Sequence, residues 1–352
     1  MVPIRPGATV MYKPTDVGAY GLFGRFVRWL DLGAPHACYL PRVLRREGFG
    51  WMEFVPHLEC RSHEDVRRFF LRSGVLLAVA EALHLTDGHA GNLVARGSHP
   101  VMVDLETLLH NHSLSFGGGQ PGILGTLLVQ QPPAGGARLG IGAGLMCPPV
   151  AQSETLGAHA RNERTDALAV TFGRPSPEDP RNLPKLGHEH VPVHGHVEDV
   201  VAGYTTGYEI ISERLRSAQA PPGWLHAAAR TRPRIVVRPT IYYVYLLRLL
   251  EQPEALLSGQ GAETALRGWL SRTGKYWESE VHDLLRRDVP YFFHVPDERH
   301  LYDSTGNREE NLFPASAIRY LIEAWRRRSP GHRDQNAELL RELLPQSPAS
   351  RE

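Results

Sequence analysis

Two short segments concentrate the side chains able to do chemistry. Thr86-Asp-Gly-His-Ala-Gly-Asn92 carries Asp87, His89 and Asn92, and Val103-Asp-Leu-Glu-Thr107 adds Asp104 and Glu106. Phosphoryl transfer uses such a set: one carboxylate orients a hydroxyl nucleophile and accepts its proton, while an Asn and a second carboxylate hold magnesium against nucleotide phosphates. On that reading Asp87 is the base, and Asn92 and Asp104 are the metal ligands. The competing reading is an Asx-rich turn that stabilises only its own backbone.

The elements that must position these groups follow from hydrophobic periodicity. Ala8 to Tyr12 is β-rich and stops at Pro14, so Lys13 closes a strand from which its ammonium could bridge two phosphates. Leu22, Phe23, Phe26, Val27 and Leu30 recur at helical spacing before Gly33, which reads as a stop signal. Leu40 to Leu44 and Trp51 to Val55 read as a hairpin around a charged turn, and a long helix runs from an N-cap at Ser62 to about His84. Leu93 to Ala95 and Val101 to Val103, turned at Gly97, then deliver Asp104. The Asp-x-x-x-x-Asn spacing from Asp87 to Asn92 equals that of the protein-kinase catalytic loop, and Asp104 falls where a second metal-binding Asp follows. Further on, Gly and Pro dominate Gly117 to Gly144 and Arg174 to His196, which reads as loop. Helical signals return in Val197 to Leu215, Ile241 to Leu250, Glu263 to Arg287 and Ala315 to Arg328, and Ser347 to Glu352 reads as an unstructured tail.

Composition narrows the class. The chain has 352 residues, 42% hydrophobic and 22% charged, enough apolar material for a sizeable core. A formal net charge of +1 gives no global field toward nucleic acid, so any anion site is local. Cys38, Cys60 and Cys147 are too few and scattered for a disulfide framework, which favours a cytoplasmic setting. The longest apolar run, Val75 to Ala80, is far short of the ~18 residues that span a bilayer.

Met11-Tyr-Lys-Pro14, Gly48-Phe-Gly-Trp-Met-Glu-Phe54, the Asp87 and Asp104 segments, Asn182-Leu-Pro184, Gly203-Tyr204 with Tyr208, Arg234-Ile-Val-Val-Arg-Pro-Thr240 and Asp288-Val-Pro-Tyr-Phe292 occur in that order. Together they resemble the dehydratase domain of class II (LanM-type) lanthipeptide synthetases. The resemblance implies an α+β, lipid-kinase-like core of two lobes. It divides the chain into a partial N-lobe (1–60), a mainly helical C-lobe (61–345) and a tail (346–352). It implies ATP- and magnesium-dependent phosphorylation of Ser and Thr in a precursor peptide, then phosphate elimination to dehydroalanine and dehydrobutyrine. Lys13 becomes the ATP-phosphate lysine, Asp87 the base, His89 its active-site partner, and Asn92 and Asp104 the magnesium ligands, with Glu106 in the same nucleotide-binding motif. Arg234 and Thr240 match the elimination residues, with Arg238 between them.

Departures from the family pattern shape further expectations. Only twelve residues precede Lys13, where the family has a long segment, so a partner chain is expected to supply that part or the gene is a fragment. Thr15 stands where Arg is usual, and Gly91 replaces a usual Glu. The family normally continues into a zinc-dependent cyclase domain, and without it the expectation is a stand-alone dehydratase-like protein that does not close thioether rings itself, with a separate cyclase as one candidate partner. Two alternatives stay open: an inactive pseudoenzyme that binds a peptide or partner synthetase, and a small-molecule kinase, which would not need Arg234 and Thr240. His188, His190, His194 and His196 alternate, yet no carboxylate or cysteine completes a known metal spacing, and a polar loop is the simpler reading.

Overall fold

The structure is a computed structural model that describes residues 2–5, 8–113, 121–130, 143–145, 157–161, 169–173, 180–218, 223–251, 259–272 and 274–345. The tail at 346–352, Cys147 and most of the Gly-rich stretch 117–144 lie outside them. Helices and small antiparallel sheets mix throughout, as expected of an α+β chain.

β1 (Val2–Arg5), β2 (Ala8–Lys13), β3 (Val43–Arg45) and β4 (Gly50–Glu53) form one sheet in the order β1-β2-β4-β3. Pairing sets Tyr12 opposite Trp51 and Lys13 opposite Gly50. Because neighbouring strand residues face opposite sides, Tyr12 meets Phe49 and Trp51 on one face while Lys13 reaches Asp104 from the other. Between β2 and β3 runs α1 (Gly18–Leu30), whose Leu22, Phe23, Phe26, Val27 and Leu30 are buried as their spacing predicts. It ends at Leu30, three residues before the Gly33 stop, because Asp31 itself takes the left-handed conformation at φ 56°.

α2 (His63–Ala82) starts where expected: the Ser62 hydroxyl accepts a hydrogen bond from Asp65 N at 3.2 Å. It is the central buried helix, and α3 (Val197–Ser217) packs directly across it. The contact is backbone-close. A Cβ on Gly203 would lie 1.8 Å from the Leu71 carbonyl, and one on Gly74 2.0 Å from that of Val200. The Gly203-Tyr204 motif is thereby explained, since only glycine permits the approach and Tyr204 then donates to buried Glu81 at 2.9 Å. After α2 the hairpin of β5 (Leu93–Arg96) and β6 (His99–Met102) forms close to its expected limits.

The second half is less purely helical than its sequence reads. β7 (Gly157–Arg161) pairs with β8 (Ala169–Gly173), and β9 (Lys185–Leu186) with β10 (Glu189–His190). A second sheet joins two-residue strands in chain order: β11 (Arg234–Ile235), β12 (Phe292–Phe293), β13 (Leu301–Tyr302) and β14 (Arg308–Glu309). α4 (Thr240–Leu249) agrees with the helix expected there. The single helix expected over Glu263 to Arg287 is instead two, α5 (Gly259–Leu270) and α6 (Trp277–Leu285). The break passes Gly274, where a Cβ would stand 2.5 Å from the Arg238 guanidinium. α7 (Ala317–Arg326) is capped by the Ser316 side chain. α8 (Pro330–Leu343), absent from the sequence reading, carries its own start signal in the Ser329 cap and the proline that follows. No helix among the described residues is long and apolar enough to cross a membrane.

Candidate functional site

The loop between α2 and β5 holds its acidic residue in an unusual backbone state. Asp87 has φ 64°, a left-handed conformation that Asp tolerates better than most residues. Three contacts fix it. Asn92 Nδ2 donates to the Asp87 carbonyl at 2.9 Å and stands 3.5 Å from the carboxylate; Thr107 Oγ1 donates to the Thr86 carbonyl at 2.6 Å; Gly88 N donates to that of Thr126 at 2.8 Å. Residues 143–145 lie against the same loop, so close that a Cβ on Gly144 would be 2.3 Å from the Gly88 carbonyl. Asn182, from the Asn-Leu-Pro motif, holds that segment by donating to the Gly144 carbonyl at 3.0 Å.

The His89 ring is oriented by its own turn. Nδ1 accepts from Gly91 N at 3.0 Å, so the neutral ring carries its proton on Nε2, which faces Asp87 Oδ1 at 3.7 Å. Burial pushes the Asp87 carboxyl above its ordinary range, and nearby Asp104 and Glu106 add to the rise. His89 and Arg234 only partly oppose it. A carboxylate held this way is a stronger proton acceptor than a solvated one.

Facing this loop, the Lys13 ammonium donates to Asp104 Oδ2 at 2.8 Å, and Asp104 Oδ1 accepts from Glu106 N at 3.2 Å. Tyr20 of α1 donates to the Val103 carbonyl at 2.8 Å and anchors the turn from behind. Glu106 then meets Arg234 twice. Its carboxylate accepts from the guanidinium at 2.6 Å, and its carbonyl accepts from Arg234 N at 2.7 Å. Burial alone would discourage charge on Arg234, but Glu106 outweighs it and the guanidinium stays firmly protonated. Its Nη2 reaches Thr240 Oγ1 at 3.5 Å, and its buried Nε has no hydrogen-bond partner among the described residues.

Lys13, Asp87, His89, Asn92, Asp104, Glu106 and Arg234 thus come together, with Thr240 at the edge. Arg238 is turned away, toward Glu280, which accepts from its Nε at 2.5 Å and Nη2 at 3.0 Å. Tyr291 had no role assigned from sequence, though it sits in the Asp-Val-Pro-Tyr-Phe stretch; its ring lies 6.0 Å from the Arg234 guanidinium. Asn92 and Asp104 offer an amide and a carboxylate oxygen, hard donors of the kind magnesium takes when phosphates complete its shell, and the residues fit that ion. The alternating histidines make no metal cluster among the described residues. His196 instead contacts Asp199 at 2.8 Å and stacks on Phe70, and His190 stacks on His57.

The family described as "Domain of unknown function (DUF4135)" matches residues 1–294. A curated relative, the "Lacticin 481/lactococcin biosynthesis protein LcnDR2" of Lactococcus lactis subsp. lactis, is 31% identical over 110 residues. That match covers 29% of this chain and 12% of the relative's length.

Proposed function

The chain belongs to the DUF4135 family, and from that premise we propose that it modifies a ribosomally made precursor peptide within a kinase-like two-lobe core, phosphorylating Ser and Thr with ATP and then eliminating phosphate. The relative's part in lacticin and lactococcin biosynthesis supports the peptide as substrate class. The observation that supports the reading is the joining of the Lys13–Asp104 pair to the Glu106–Arg234 pair through Glu106 N and Asp104 Oδ1.

In the first step Asp87 takes the proton of the substrate hydroxyl as its oxygen bonds to the γ-phosphorus and the bond to ADP breaks. Lys13 moves from Asp104 to the nucleotide phosphates. Asn92 and Asp104 would hold magnesium, which neutralises phosphate charge when bound. In the second step the α-proton leaves to a base, a carbon–carbon double bond forms, and the β-carbon–oxygen bond breaks. Arg234 gives the departing phosphate a bidentate cation, with Thr240 beside it.

Calorimetric titration with magnesium and ATP tests the first step. Saturable binding that is lost in Asp104→Asn and kept in Asp87→Asn is expected, with peptide phosphorylation by the latter down roughly 10²–10⁴-fold. An absence of nucleotide binding would leave a pseudoenzyme, and undiminished phosphorylation by Asp87→Asn would remove it as base.

A further inference from the structure

A second basin lies on the outer flank of α1, and none of the site residues above lines it. It encloses about 490 Å³ between α1, β3 and the turn at Gly223–Arg230, a volume in the range of small-molecule sites. We propose that it binds a phosphate ester, independently of the reaction assigned to the cleft.

Three observations carry this. First, α1 shows the basin a stripe at helical spacing, Gly18, Gly21, Leu22 and Arg25, in which Arg45 and Asp16 lie over Gly18 while Gly21 leaves its part of the face open. A Cβ at Gly21 would meet nothing within 4 Å. Second, the charge is of one sign. Arg25, Arg45, Arg230 and His226 line the basin, and no carboxylate does. Asp16 neutralises Arg45 through two contacts of 2.8 and 3.0 Å, while the Arg230 carbonyl accepts from the same guanidinium at 2.7 Å. That leaves the Arg25 and Arg230 guanidinium groups with no ion-pair partner among the described residues, on a rim that Arg45 holds together. Third, Val17, Leu22 and Val43 supply an apolar wall beside the cations. A guanidinium fork matches phosphate oxygens, and the wall suits the organic part that carries them.

Phenyl phosphate, titrated calorimetrically into the full chain, is the probe. One saturable site is expected. Gly21→Glu abolishes it by putting a carboxylate into the basin, on a helix that favours almost any residue over glycine. Arg25→Ala with Arg230→Ala weakens binding at least tenfold. Gly268→Glu, at an equally open helical glycine on α5, binds like the parent chain. Lys13→Ala also binds like the parent, which separates the basin from the cleft. A phosphoserine peptide or AMP that binds tighter than phenyl phosphate supports the site and identifies its source as peptide or nucleotide. No saturable binding by the parent chain, an unchanged Gly21→Glu, or loss in Lys13→Ala overturns the proposal.

Discussion

Arg234 pairs with Glu106, and Arg238, four residues on, pairs with Glu280. The second pair is saturated. The Glu280 side chain is 0% exposed, takes both contacts from Arg238, and accepts a further hydrogen bond from Tyr243 at 2.6 Å within the small core that joins α4, α5 and α6. The first pair keeps a spare donor in Arg234 Nε and stands beside the acidic loop of Asp87. Identical side chains thus divide by their surroundings: the Arg238 guanidinium is held by a buried carboxylate inside a small core, and the Arg234 guanidinium keeps an unpartnered Nε beside the acidic loop.

That difference is open to direct test. Glu280→Ala strands a buried cation and should cost about 3–5 kcal/mol in a denaturant titration; a loss under about 1 kcal/mol would break the comparison. Arg234→Ala should slow elimination roughly 10²–10³-fold with phosphorylation retained, so that mass spectrometry finds phosphopeptide accumulating. A normal yield of dehydrated peptide would make the two arginines alike. Glu106→Gln keeps an acceptor but removes its charge, and elimination should fall only about tenfold, because an ion pair becomes a hydrogen bond from a charged donor to a neutral amide.

A further prediction, read as pH dependence, concerns the packing beneath the acidic loop. His84 and His112 ring centres are 5.2 Å apart, and those of His110 and His112 4.9 Å. Burial holds His84 and His110 down at about 3 and His112 at about 4. In the unfolded chain the imidazoles titrate near 6.5, so it binds protons first as pH falls. Stability from this cluster is complete above about 6.5 and is lost progressively toward 4 and 3. Calorimetric melting should show a decline from pH 7 to 6 that steepens below; a flat profile down to pH 5 would exclude neutral burial.

Local patterns made much of this readable. α1, α2, the β5–β6 hairpin and the Asp87 to Asn92 loop follow from periodicity, a Ser cap and turn residues close along the chain. The ion pairs are different, since Lys13 and Asp104 lie 91 residues apart and Arg234 and Glu106 128 apart, and no spacing rule reaches that far. The order of motifs assigned these residues to one site, but it did not suggest that they pair. The two-residue strands β11 to β14 are too short to show an alternating pattern, and the break between α5 and α6 depends on Arg238 standing over Gly274. The engagement of Arg238 by Glu280 was likewise invisible, because an arginine within a motif reads the same whether it faces a ligand or a core.

The last helix has a consequence for how the chain matures. Glu81, near the end of α2, accepts from Tyr204 and from Asn336 of α8, which lies 255 residues later. During synthesis α2 emerges long before α8, so the carboxylate can be fully satisfied only after the chain through Asn336 has left the ribosome. Trp325 of α7 adds a second late tie by donating to the Ala82 carbonyl at 2.7 Å. The helix that leads into the acidic loop is therefore locked last, and a nascent chain stopped before residue 325 carries every assigned site residue without the clasp that sets them in place.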